Sequence, residues 1–367
     1  MNGDGAGPGS RACAECLARA WLLARLAGHL DLVRHRIGAL LELENEELIE
    51  AVGGKQRERV RSELGAFDVE PARRRSAGAG LEQICRCDGD YPVSLGPLAS
   101  APAVLHVGGG LERFLALARE QPVAVVGARR ASPYGTGVAR SLGRALSTAG
   151  VTLLSGMASG IDSAAHLGAI DAGAGTLAVL PGAAERPYPA SARVLHRRVR
   201  SSGAVLSELP PGTGVRRWMF PARNRIIAAL AAMTVVVEAR LGSGALLTAG
   251  FAAELGRPIG AVPGRITSPL ASGPHQLLRA GAILVRGPQD VIDGLFGAGA
   301  RGVPEPAPSR LAPPLQALLD ALADGYDTAT AIDRSGLGAD GGLAALASLE
   351  LAGRVRREAG GRFSVLI

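Results

Sequence analysis

The stretch from residue 123 to residue 287 constrains this chain most, because short β-branched runs and helical segments alternate along it. The first run, Val123-Ala-Val-Val126, stops at Gly127 and leads into a helical pattern at Val138, Leu142 and Leu146. Similar runs recur at Val151–Leu154, Thr176–Leu180, Ala204–Leu206, Thr234–Val237, Pro258–Val262 and Ala282–Val285. Buried strands separated by helices predict an α/β fold with a doubly wound, mostly parallel sheet. Ligands of such sheets bind at the carboxyl ends of the strands.

The flanks are different. Residues 1–10 are Gly-rich and read as a floppy tail; with no basic end before an apolar core, they do not form a secretory signal. From 11 to 84, Trp21, Leu22, Leu26, Leu30, Leu40, Leu41, Leu48 and Ile49 recur at helical spacing, which predicts a small all-helical module. Arg57, Arg59 and Arg61 read as its solvated face. A sheet domain is expected over 85–296, led into by Ala101–Gly108, which reads as an edge strand entered through Pro102. Residues 297–310 are a Gly/Pro/Ala linker. Over 311–367, three short amphipathic helices and a hairpin turning at Gly360-Gly361 give the layout of a winged helix. Its third helix, Gly341 to Leu351, carries no Arg or Lys, so a protein-contact role is favoured over DNA reading.

Charge narrows the function. The chain has a net charge of +7, yet residues 129–240 alone hold fourteen arginines against five acids, a net of +9. A polyanionic partner suits that distribution, and the arginine fork suits phosphate. No apolar run has membrane-spanning length, so membrane insertion is not expected and the protein is placed in the cytoplasm. Four cysteines form two pairs, Cys13/Cys16 and Cys85/Cys87. Together a CxxC and a CxC could hold zinc, but the pairs are far apart in sequence and no histidine sits in zinc-finger spacing. Reduced structural thiols, with no metal and no cofactor, are the expectation.

Four motifs carry the candidate chemistry. Gly127-Ala-Arg129-Arg-Ala-Ser132-Pro-Tyr134-Gly135 combines a tight turn, a phosphate fork, a helix cap and a glycine open to close approach. Ser155-Gly156-Met-Ala-Ser159-Gly160-Ile-Asp162 would form a second anion nest; Asp162 and His166, at i and i+4, read as a cap and a packed or ligand-facing histidine rather than an acid–base pair. Arg216-Arg217-Trp218-Met-Phe220-Pro-Ala-Arg223-Asn224-Arg225 interleaves arginines with two of the chain's twelve aromatics, which suits single strands, although either ring can equally be core. Ser243-Gly244 with Thr248 would make a third nest after a strand.

In this order the four motifs closely resemble those of the DNA processing protein A family (DprA, also called Smf). Ala261-Val-Pro-Gly264, Ser272-Gly-Pro-His275 and Ala280-Gly281-Ala282 extend the likeness, and the SAM-like helical module and winged domain are similar to the family's flanks. The resemblance implies an extended Rossmann-like domain that binds single-stranded DNA, forms a homodimer and hands the strand to the RecA recombinase in natural transformation and recombination. It makes Arg129, Arg217 and Phe220 the foremost DNA contacts, with the glycine turns supplying backbone amides. It implies no catalysis and no cofactor. The rival reading is a Rossmann-like nucleoside monophosphate phosphoribohydrolase, for which Glu238 beside Ser243-Gly244 is the nearest equivalent of a catalytic carboxylate. A pure protein adaptor leaves the charge around the phosphate nests unexplained.

Overall fold

The structure, a computed structural model, describes residues 10–302, 311–351, 354–358 and 360–365. Among them, one sheet is built from β1 (Ser10–Arg11), β2 (Glu82–Cys85), β3 (Val104–Gly108), β4 (Val123–Val126), β5 (Leu153–Ser155), β6 (Thr176–Val179), β7 (Ala204–Ser207), β8 (Met233–Val236), β9 (Ile259–Ala261) and β10 (Ile283–Leu284). The strand order is β1-β2-β3-β7-β6-β5-β4-β8-β9-β10. All seven expected runs are strands, and β4 to β10 run parallel.

Their apolar character follows from double burial. Val123 and Val125 of β4 pack into one core cluster, Ala124 and Val126 into the cluster on the opposite face. Helices cover both faces, as a parallel sheet requires. On one face the helices Pro133–Thr148 and Ile161–Asp171 approach until their backbones touch. A Cβ on Gly143 would collide with the Ala165 carbonyl, and one on Gly168 with the Arg140 carbonyl.

The edge differs from expectation. Val104–Gly108 is not an edge strand: β3 lies between β2 and β7 and pairs antiparallel with both. Pro102 precedes the strand, so it removes no ladder hydrogen bond. β2 has no apolar run to advertise it, and β1 takes in Ser10, whose hydroxyl donates to Gln83 Oε1 at 2.9 Å. The rest of the expected tail, residues 1–9, lies outside the described residues.

The helices Ala14–Arg25, Ala27–Leu32, Ile37–Glu42, Asn45–Val52, Arg57–Gly65 and Val69–Gly78 make the helical segment. It shares a core with the sheet body, where Leu22, Leu26, Leu48 and Ile49 pack with Leu209, Trp218 and Met219. The boundary expected at 84/85 therefore falls inside one compact unit, which runs to residue 303. Arg57, Arg59 and Arg61 pair with glutamates on the exposed face.

The second unit, from residue 304, has helices Pro313–Ala323, Thr328–Arg334 and Ala339–Leu351 closed by an antiparallel hairpin, Val355–Arg357 with Phe363–Val365. This is the winged-helix arrangement. Of the expected linker, residues 303–310 lie outside the described residues. Among the described residues, no helix is long and apolar enough to cross a membrane.

Two glycine substitutions of opposite sign test this packing. Gly143→Ala should destabilise by about 1–3 kcal/mol through overpacking. Gly250→Ala, in the exposed middle of the helix Gly244–Glu254 with open space around it, should stabilise by up to about 1 kcal/mol. Denaturant midpoints of the two variants give the signs.

Buried histidines set a pH dependence. Burial pushes His106 and His166 down to about 3, whereas an unfolded histidine titrates near 6.5. Their contribution is complete above pH ~6.5 and is lost as pH falls towards 3, by up to about 1.4 kcal/mol per pH unit for each. Urea unfolding at pH 7 and pH 5 should show the loss, with a shallower dependence in His166→Asn.

Candidate nucleic-acid interface

Because β4 to β9 are parallel, the loops that follow them leave the sheet at one edge. The chain runs outward from β4 through β5 and β6 to β7, then returns to β8 on the other side of β4. That reversal is the topological switch point of the sheet. The four motifs follow β4, β5, β7 and β8, so the fold gathers them along this edge.

One aromatic–cationic cluster stands out on it. The Arg129 guanidinium lies 4.9 Å from the centre of the Phe220 ring, and Tyr188, from the loop after β6, meets that ring edge-on with centroids 5.4 Å apart. Arg129, Tyr188 and Arg217 are exposed and Phe220 is half-buried. Trp218 instead belongs to the core. It is 0% exposed, its Nε1 donates to the Ala27 carbonyl at 3.0 Å, and its backbone N–H donates to Asp31. Of the two rings whose roles the sequence left open, Phe220 is the one at the surface. Tyr188 was not among the candidate site residues; its sole signal was an aromatic before a proline in a loop after a strand.

The expected nests are largely filled from within. Glu238, 5% exposed, accepts the backbone N–H of Ser132 at 2.8 Å and its hydroxyl at 2.6 Å. Ser132 in turn caps the helix Pro133–Thr148 by accepting from the Gly135 N–H at 3.1 Å. A Cβ on Gly135 would meet the Glu238 carboxylate, so that glycine admits a protein side chain rather than a ligand. Gly127 is bare because a Cβ there would stand 2.6 Å from Ile161 and 2.8 Å from the Glu238 carbonyl. Tyr134 is exposed, and its hydroxyl donates to the Pro263 carbonyl.

The second nest holds Asp162, which accepts from the N–H groups of Gly156 and Ala158 at 3.2 and 3.3 Å. Burial raises the Asp162 carboxyl, while Arg223 and these two N–H groups act the other way. Gly160, at φ +81°, faces the backbone of Ala128 and Arg129 and joins the first two loops. Ser155 is fully buried and donates to the Val125 carbonyl at 2.7 Å. His166 donates no bond to Asp162; its Nδ1 lies 2.9 Å from the Thr176 hydroxyl, so the packed reading holds.

Three more candidates turn inward. Arg223 donates to the carbonyls of Gly156 and Val179 at 2.5 and 2.6 Å, binding the ends of β5 and β6 together. Burial lowers its guanidinium to about 10, so it stays charged at neutral pH beside Asp162. Arg225 forms a bidentate pair with Glu208, at 3.0 and 2.6 Å, and also donates to the Ser100 hydroxyl. Asn224 accepts from Arg223 and donates to the Gly244 carbonyl at 3.0 Å. Thr248 is buried with its hydroxyl 3.4 Å from that carbonyl. In the third nest the Ser243 N–H donates to the Arg240 carbonyl at 3.2 Å, while among the described residues no carboxylate takes the Gly244 amide and the Ser243 hydroxyl has no partner.

These contacts separate the charges. Asp162, Glu208 and Glu238 are consumed inside, and Glu185 accepts from the Gly212 N–H. Arg129, Arg130, Arg216, Arg217, Arg240 and Arg265 are exposed and form no ion pair among the described residues. The edge is therefore a row of unneutralised guanidinium groups with rings among them. The cysteines converge elsewhere, past the carboxyl end of β2, five strands from β4 and so about 24 Å away by strand spacing.

Residues 82–296 match the family described as DNA recombination-mediator protein A, and residues 303–361 match the DprA winged helix domain. A putative DNA processing protein DprA of Mycobacterium tuberculosis is 45% identical over 185 residues, which is 50% of this chain and 48% of that protein. The chain thus spans about half the length of that relative. The X-ray structure of DprA from Streptococcus pneumoniae superposes with a TM-score of 0.62 at 30% identity, covering 77% of this chain and 98% of that one. A structure of the Helicobacter pylori protein, reported for its single-stranded DNA binding mode, gives 0.51 at 27% identity over 56% and 92% of the two chains. With its sheet body and its winged domain both matched, the chain belongs to the DNA recombination-mediator protein A (DprA/Smf) family.

Proposed function

We propose that this protein binds single-stranded DNA without sequence preference along the carboxyl edge of the sheet. The observation that carries the reading is the segregation of charge. Arg129, Arg130, Arg216, Arg217, Arg240 and Arg265 are exposed without an ion pair among the described residues, and the Arg129–Phe220–Tyr188 cluster sits among them. Phosphates meet the guanidinium forks and bases stack on the rings, a combination that tolerates any sequence. The single-stranded DNA binding reported for the Helicobacter pylori relative supports this reading. Membership of a recombination-mediator family supports the further step, in which a cytoplasmic homodimer hands the strand to RecA in recombination and natural transformation.

The contacts are Arg129, Arg217 and Phe220, with Tyr188 added and the Gly244 amide supplying a backbone contact. Arg223, Asn224 and Arg225 hold the loops in place.

Binding of labelled oligo-dT and of matched duplex across a salt series tests this. The expected result is single-strand preference with affinity falling steeply as salt rises. Arg129→Ala and Arg217→Ala should each weaken binding and flatten the log–log salt slope by about 0.7 for every phosphate left unneutralised. Phe220→Ala should cost about 1–3 kcal/mol with little change in slope. Equal binding by wild type and all three variants overturns the proposal.

Catalysis is not part of the proposed function. The hydrolase reading needs a free carboxylate, and both Glu238 oxygens are already engaged by Ser132. Incubation with adenosine monophosphate should release no ribose 5-phosphate. Glu238→Gln should lower stability by about 1–3 kcal/mol, because the amide cannot accept both Ser132 bonds. Base release by the wild type that disappears in Glu238→Gln would instead establish the hydrolase.

A further inference from the structure

We propose that Cys13, Cys16, Cys85 and Cys87 bind one zinc ion as four thiolates, and that this ion fastens the helix Ala14–Arg25 to the sheet. All four sulfurs lie within 4.8 Å of one another, and Cys16 Sγ is 3.7 Å from Cys87 Sγ. A tetrahedral zinc with Zn–S bonds of about 2.3 Å has S···S edges of about 3.8 Å. The observed cluster therefore needs only a small contraction to close around a single ion. A two-iron cluster sets its thiolate pairs further apart.

Both pairs are presented by regular structure. β1 runs parallel to β2 with Ser10 opposite Gln83 and Arg11 opposite Ile84, which brings the residues following each strand side by side. Cys13 then precedes the helix Ala14–Arg25 as its N-cap, and Cys16 follows one turn later on the same side. Cys85 ends β2 and Cys87 lies two residues on. The Cys13 backbone N–H points at Cys85 Sγ at 3.4 Å, a contact that favours the thiolate over the thiol. Sequence separation argued against a shared site, but the fold removes that objection by making the two pairs neighbours.

The surroundings suit a closed structural site. Cys16 and Cys85 are buried in a small apolar cluster with Leu17, Ala20 and Val104, while Cys87 is exposed and gives the ion a way in. Four thiolates around Zn2+ carry a charge of −2, and binding releases four protons from the thiols. Arg86, between two of the ligands, and Arg73, which donates to the Ala12 carbonyl at 3.1 Å, supply positive charge nearby. An all-sulfur tetrahedral set selects zinc among the divalent ions that prefer closed, four-coordinate sites.

The test uses the full-length chain without an affinity tag, purified under reducing conditions from zinc-supplemented cells. Elemental analysis should give one zinc per chain, released by an organomercurial, and Cys87→Ser should reduce that to none. Cys87 is exposed, so this change leaves the core intact. Chelation should lower the melting temperature of the wild type and leave that of Cys87→Ser unchanged. Titration of the demetallated wild type with Co2+ checks the ligand set without any substitution, since four thiolates give the intense visible bands of tetrahedral cobalt. Four freely alkylated thiols with no metal, iron in place of zinc, or a Cys16–Cys87 disulfide in the reduced preparation would each overturn the proposal. None of these outcomes depends on whether the chain binds DNA.

Discussion

Glu238 engages both the backbone N–H and the hydroxyl of Ser132, and the shape of the sheet edge depends on that pair of bonds. The carboxylate leaves the end of β8 and reaches the loop after β4, across the switch point of the sheet. Ser132 can then cap the next helix, Gly135 can tuck against the acid, and Arg129 is left facing outward. In the neighbouring loop Asp162 plays the same part for Gly156 and Ala158. Two sites with the geometry of anion nests are thus occupied by the protein's own anions. Withdrawing those acids also strips the surface of negative charge, so one set of contacts both shapes the loops and exposes the arginines.

The helical segment depends on the same region. Trp218 fills the junction between the segment and the sheet body, with Nε1 tied to Ala27 and the backbone tied to Asp31. Arg217, one residue before it, and Phe220, two residues after it, are placed at the surface by that anchor. A ring buried within two residues of a ring at the surface is a mechanical arrangement. The core tryptophan fixes where the helix Met219–Leu230 begins, and hence where Phe220 meets Arg129.

Much of this was legible in the sequence, because strands buried on both faces must be apolar throughout and β-branched residues suit them. Seven such runs located seven strands, and the four motifs follow four of them at one sheet edge. What sequence could not supply was the direction of individual side chains. Arg223 and Arg225 look like Arg129 and Arg217 in a row of basic residues, yet two turn into the core to meet carbonyls and Glu208. The inward pair lies within a helix whose residues from Ala222 to Leu230 are all buried, and only tertiary packing decides that. β1 and β2 escaped notice because a two-residue strand has no periodicity, and Glu82-Gln-Ile-Cys85 is too polar to read as a buried run. The cysteine cluster was hidden for the same reason: its two halves meet through the β1–β2 pairing.

The strand order has a further consequence, for biogenesis. Val123 of β4 pairs with Leu153 on one side and with Met233 on the other. A ribosome therefore delivers one neighbour of this central strand soon after it and the other only after a further stretch of roughly eighty residues, on the order of ten seconds of synthesis. Throughout that interval the nascent sheet carries an open apolar edge, the kind of edge that recruits other strands. Glu238 arrives just behind β8, so the loop carrying Arg129 takes its final form at the moment the edge is sealed. A ribosome-bound fragment that stops before β8 would thus combine the hazards of an unpaired strand with none of the finished surface.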